Sequence, residues 1–109
     1  MKTGIELIAK EREEHTTKHE WTPEHDDQQD QSQLATAAVA VLLMDTHVDI
    51  WVGSGETAFS VWPWKEIDPW FINIQKKSRI DQLAVAGSLI AAEIDRLQRL
   101  SAKEATSAA

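Results

Sequence analysis

The chain has 109 residues, one domain's worth, and its 42% apolar and 27% charged content excludes wholesale disorder. It has no cysteine, which excludes disulfides, thiolate metal sites and a cysteine nucleophile. Eleven Lys and Arg against eighteen Asp and Glu give a net charge of −7, the opposite balance from a duplex nucleic-acid binder.

The acidity is concentrated. Residues 1–33 carry four bases and nine acids, whereas residues 78–109 carry four of each. A helix is expected from Thr3 to His19, opened by the capping box Thr3-Gly4-Ile5-Glu6. Ile5, Ile8 and Ala9 form an apolar stripe that continues at helical spacing as Arg12, His15 and His19. The core-facing line of this helix therefore turns polar, either because its far end is solvated or because it lines a polar cleft. Thr22-Pro23 then reads as an N-cap followed by proline at the first helical position. Glu24, Asp26 and Asp27 fall in that helix's first turn, where the helix dipole favours carboxylates. From Ser32 to Asp45 the chain is apolar almost all round, which predicts a central or interface helix. This run is the longest apolar one, and it is too short to cross a bilayer.

Residues 46–77 form a Trp-rich insert. Val48, Ile50 and Val52, then Thr57, Phe59 and Val61, alternate around Gly53-Ser54-Gly55, which predicts a short β-hairpin. Pro63 and Pro69 divide the remainder into loop and short turns. Ser78-Arg79-Ile80-Asp81 opens the last helix with a second capping box. Along it, Ile80, Leu83, Gly87, Ile90, Ile94 and Leu97 repeat at alternating spacings of three and four, a seam expected to face one partner helix. The expected fold is a mainly α, small helical bundle over residues 1–100, with a frayed tail at 101–109. Two large apolar helix surfaces in so short a chain predict a homo-oligomer.

Several of these segments together resemble a family of small proteins from tailed bacteriophages and prophages. The shared pattern is an IxxER helix (Ile8 to Arg12), a GWTxEHDD segment (here Trp21 to Asp27), an alanine-rich helix, a WPW patch (Trp62-Pro63-Trp64) and a closing LIxAEIDRL helix (Leu89 to Leu97). The chain departs from it at three places. Glu20 stands where the family has Gly before the Trp, Gln29 stands near a common His, and Ser32-Gln33 replaces a Gly-Glu pair. The resemblance implies phage origin and brings no activity with it.

Four kinds of chemistry are open to these residues. Glu24 and Asp27 could share a helix face and hold Mg²⁺, although acids are expected in a first turn without any metal. Glu11 and Glu14 form an ExxE pair like that of metal-dependent all-α nucleotide pyrophosphatases, but the matching ExxD pair is missing from the apolar helix. An acidic surface could occupy a basic host protein. Alternatively, Trp21 and Trp64 could stack a flat ring while Arg12 and Arg79 receive phosphates and His15 and His25 add donors. The ligand pocket is expected where the end of the first helix, the Trp21–Asp27 segment and the last helix meet. Arg12, His15, Trp21, Glu24, His25, Asp26, Trp64, Arg79 and Glu93 are its candidate residues, with Arg12 paired to Glu93. The leading expectation is a non-enzymatic phage protein in the cytoplasm of its bacterial host. It would hold a small nucleotide-like ligand or a host protein, with neither a duplex nor a membrane as partner.

Overall fold

The computed structural model describes residues 1–45, 61–64 and 69–108. Over these the protein is a bundle of five helices with no strand. The expected hairpin lies almost wholly outside the described residues.

Helix α1 spans Gly4–Thr17 and opens on a complete capping box. The Glu6 N–H donates to Thr3 Oγ1 at 3.2 Å and the Thr3 N–H to Glu6 Oε1 at 3.0 Å. Helix α2, Pro23–Asp27, is separate and short, with Thr22 accepting the His25 N–H at its N-cap. Helix α3 spans Gln33–Leu43 and buries Leu34, Ala37, Ala38, Ala40 and Val41. Helix α4, Pro69–Gln75, stands where loop and short turns were expected. Pro69 occupies its first position, where a missing N–H costs nothing, and Phe71 and Ile74 anchor it in the core. Helix α5 runs from Arg79 to Ala108, continuing through the segment read as a frayed tail.

Helix α5 is the spine against which α1, α2, α3 and α4 all pack. It buries Gln82, Ala84, Val85, Ala86, Ser88, Leu89, Ala92, Glu93 and Arg96. Its small residues face the alanines of α3, which lets the two backbones approach closely. Arg79 closes the other end of that contact. Its guanidinium donates to the Leu42 carbonyl at 2.9 Å and to that of Met44, capping α3 at the negative end of its dipole. Arg79 is therefore a structural cap and is removed from the ligand-binding set.

Among the described residues the three-four seam does not lie along a partner helix. Ile80, Leu83, Ile90, Ile94 and Leu97 are each between 45% and 65% exposed. The core is built on the opposite flank, because α3 needs the small residues there and the seam's bulky ones would hold it away. Gly87 is the exception. A β-carbon built there would lie 2.6 Å from Ile8 Cδ1 and 2.7 Å from Ile8 Cγ1, so α1 crosses α5 on the space glycine leaves.

Two backbone reversals set the order of the helices. Glu20 has φ 58° and Ser32 φ 60°, both in the left-handed region that favours glycine. Each precedes a helical unit, α2 and α3 respectively, and turns the chain back towards α5.

Two stability experiments follow. Gly87→Ala should destabilise the protein by about 1 kcal/mol or more, despite alanine's higher helix propensity. In an Ile8→Ala background the same change should become neutral or stabilising, as a double-mutant cycle by denaturant unfolding would measure. Ser32→Gly should raise stability by up to about 1 kcal/mol, the cost of a left-handed L-residue, while Ser32→Val should lower it.

Candidate functional site

The polar continuation of the α1 stripe turns inward. His15 is 1% exposed and lies between α1 and α5. Both ring nitrogens are engaged: Nδ1 lies 3.0 Å from Arg12 Nη1, and Nε2 lies 3.1 Å from Ser88 Oγ. The Ser88 hydroxyl donates to the Val85 carbonyl at 2.7 Å, so its oxygen accepts from His15. Arg12 can only donate, so Nδ1 must accept. These constraints fix one tautomer, neutral with the proton on Nε2. Burial, reinforced by the Arg12 charge, pushes the His15 pKa down from 6.5 to about 4.

Arg12 is the centre of the cluster. Its Nε and Nη2 donate to Asp95 Oδ2 at 3.3 and 3.2 Å. Nη2 also reaches Asp26 Oδ2 at 3.5 Å. Asp26 is 1% exposed although it sits on a five-residue surface helix. Its other oxygen accepts from His25 Nδ1 at 3.1 Å. A buried carboxylate needs such partners, and removing one from a buried pair commonly costs several kcal/mol. Arg12, Asp26 and His25 therefore lock α2 onto α1 and α5. The predicted partner Glu93 is elsewhere, on Arg96 Nε at 2.5 Å. Asp95 takes its place because residues 93 and 95 of a helix point in nearly opposite directions.

Aromatic rings continue the cluster. Trp21 stacks on His25 with centroids 5.0 Å apart and planes 21° off parallel. It also touches His15 at 4.7 Å and meets Trp70 edge-on at 5.1 Å. Trp70 leads on to Trp62, which meets Phe71 at 4.9 Å in the core. Trp64 lies on the far side of this chain and donates from Nε1 to Gln29 Oε1 at 3.1 Å. Trp62 is part of the hydrophobic core and Trp70 packs against it.

Two clefts flank α2. One, about 430 Å³, is lined by Ala9, Arg12, Glu13 and Thr16 of α1 together with Trp21, Pro23 and Asp26. The other, about 350 Å³, is lined by Asp27, Arg96, Arg99, Leu100 and Lys103. Arg99 pins the short helix between them, donating to Asp27 Oδ1 at 2.8 Å and to the Pro23 carbonyl at 3.3 Å.

The structure thus brings Arg12, His15, Trp21, His25 and Asp26 together. It leaves Arg79 and Glu93 outside the group, with Trp64 on its margin. Glu24 is exposed on α2, and Asp27 is held by Arg99. Glu11 and Glu14 are drawn to Lys77 and Lys18. Among the described residues no three His, Asp or Glu side chains are grouped to hold a metal ion. Sequence reasoning missed Ser88, Asp95 and Arg99. Ser88 and Asp95 are seven residues apart, so they form one polar line beside the apolar seam, and that spacing is the signal that finds them.

The histidine gives a pH dependence with a definite sign. The unfolded chain takes up a proton near pH 6.5 and the folded one only near 4, so the stability from neutral His15 is complete above 6.5. It falls as pH drops through that window, by about 2 kcal/mol at pH 5. His15→Gln should remove this slope between pH 7 and 5, measured by denaturant unfolding against wild type. No protein-family model, curated protein or solved structure matches this chain.

Proposed function

We propose that this protein is a non-enzymatic binding module that holds a small nucleotide-like ligand across α2. The observation that carries the reading is the pair of clefts separated only by that short helix. The first offers one face of a half-buried tryptophan, the hydroxyl of Thr16 and the Arg12 guanidinium. Arg12 has five N–H donors, of which the contacts to Asp95, Asp26 and His15 occupy four. The fifth is left for a ligand. Carboxylates of Glu13 and Asp26 make this cleft a poor place for a phosphate and a good one for a ring bearing amino or imino hydrogens. The second cleft supplies Arg96, Arg99 and Lys103, the donors a phosphate requires. Both volumes lie within the range of small-ligand sites.

The phage reading fits the backbone. The two positions where the family pattern carries glycine, before the Trp and at the opening of the alanine-rich helix, are Glu20 and Ser32, and both are left-handed here. Glycine at these places would suit the same turns. On this reading the protein is phage-encoded and acts in the bacterial cytoplasm on a host process such as defence. A second reading, an acidic surface that occupies a basic host protein, is supported by the exposure of Glu13, Glu20, Glu24, Asp27 and Asp30 around the same clefts.

Calorimetric titration with nucleosides, nucleotides and cyclic nucleotides, with and without Mg²⁺, tests the proposal. The expected result is micromolar binding of a phosphorylated ligand (about −8 kcal/mol), quenching of Trp21 fluorescence, and no product. Lys103→Ala, which keeps the Arg99 pin on α2, should weaken the nucleotide about tenfold and leave the nucleoside unaffected. Absence of binding at about 1 mM ligand, or turnover of any ligand, contradicts the proposal.

A further inference from the structure

We infer that the exposed seam of α5 is the interface with a second copy of this chain, packed antiparallel. Ile80, Leu83, Ile90, Ile94 and Leu97 are 45–65% exposed, and Leu100 beside them is 43% exposed. They form a row about 25 Å long, met at Gly87 by Ile8 of α1. A soluble monomer seldom leaves so large an apolar strip open to water. At the start of the row an apolar notch of about 180 Å³, lined by Gly4, Leu7, Ile8, Ile80, Leu83 and Ala84, opens between α1 and α5. Ile5 of α1 adds a further apolar side chain, 82% exposed.

The row itself selects its occupant. Its spacing of three and four is that of a helix whose partner carries the same repeat. Among the described helices α1 has 14 residues and α3 has 11; α3 packs on the opposite flank of α5, and α1 touches the seam only around its start and at Gly87. A second α5 carries the repeat over the full length. Charge points the same way. Two copies of a chain with net charge −7 repel, but the last helix is neutral, with four bases and four acids from residue 78 onward. The neutral helix is where two copies can meet at least electrostatic cost.

Direction follows from Gly87. In an antiparallel pair about a two-fold axis, Ile80 lies opposite Leu97, Leu83 opposite Ile94, and Gly87 opposite Ile90. Each layer then pairs unlike positions, and the partner's Ile90 covers the crossing where Ile8 sits on Gly87. A parallel pair would instead stack glycine on glycine and bring the two Ile8 crossings into one layer. The antiparallel arrangement also delivers the partner's Leu97 and Leu100 to the notch beside Ile80.

Sedimentation equilibrium and oxidative cross-linking test this together. The wild-type chain should sediment at twice its 12.3 kDa mass at about 100 µM. Ile94→Glu, at a solvent-facing position of the monomer, should sediment at the single mass with unchanged helical circular dichroism. The chain has no cysteine, so introduced ones report without background. Ile80→Cys combined with Leu97→Cys should give a covalent dimer on mild oxidation, and Ile80→Cys alone should not. A monomeric wild type, or an Ile94→Glu variant that remains dimeric, overturns the interface. Efficient cross-linking of Ile80→Cys alone overturns the antiparallel packing.

Discussion

Burying a histidine at the crossing of α1 and α5 constrains the rest of this structure. An imidazole removed from water is stable only when uncharged and with both nitrogens engaged. Here Ser88 must lie within reach of one nitrogen and Arg12 of the other. These contacts fix how α1 is rotated and how far along α5 it sits. Gly87 makes that register possible, because its missing side chain leaves Ile8 a place at the residue next to Ser88. Ile8 and His15 are thus the apolar and polar parts of one contact, while Ile5, Ala9 and His19 of the same stripe are exposed.

The same requirement draws in the third helix. Arg12, once placed beside His15, is a charge at the rim of the core, and Asp95 and Asp26 balance it. Asp26 can be reached only if α2 folds back over α1, and left-handed Glu20 makes that turn. Trp21, at the turn, is pressed between His15 and His25. The clefts on either side of α2 follow from this placement. One inherits the tryptophan face and the outer edge of Arg12, and the other inherits the arginines of α5.

Much of this was legible in the residues. The capping box of α1, Ser78 accepting the Asp81 N–H at the start of α5, the proline at the start of α2 and the inward course of Arg12 and His15 are local signals with local causes, and they place the helix starts and half of the cluster. What was not legible depends on which flank of α5 the other helices choose. The spacing of Ile80 to Leu97 predicts a face that meets a helix of the bundle; it does not show that the small residues opposite α3 will take the core instead. The same choice decides between Glu93 and Asp95 for Arg12, since the two point to different sides of one helix. Helix α4 is hidden in the sequence because Pro69 reads as a breaker, although a proline at the first position of a helix breaks nothing. Arg79 was read as a phosphate receiver because a guanidinium suits a carbonyl fringe and a phosphate equally well.

The protonation state of His15 tests this account most directly. Long-range ¹H–¹⁵N correlation spectra of the imidazole, recorded across pH, report tautomer and charge together. The geometry predicts a single neutral species with its proton on Nε2 through pH 6 and pH 5, titrating only near pH 4. A histidine that titrates near 6.5, or one with its proton on Nδ1, would contradict the contact with Arg12 and Ser88 and the helix packing that depends on it.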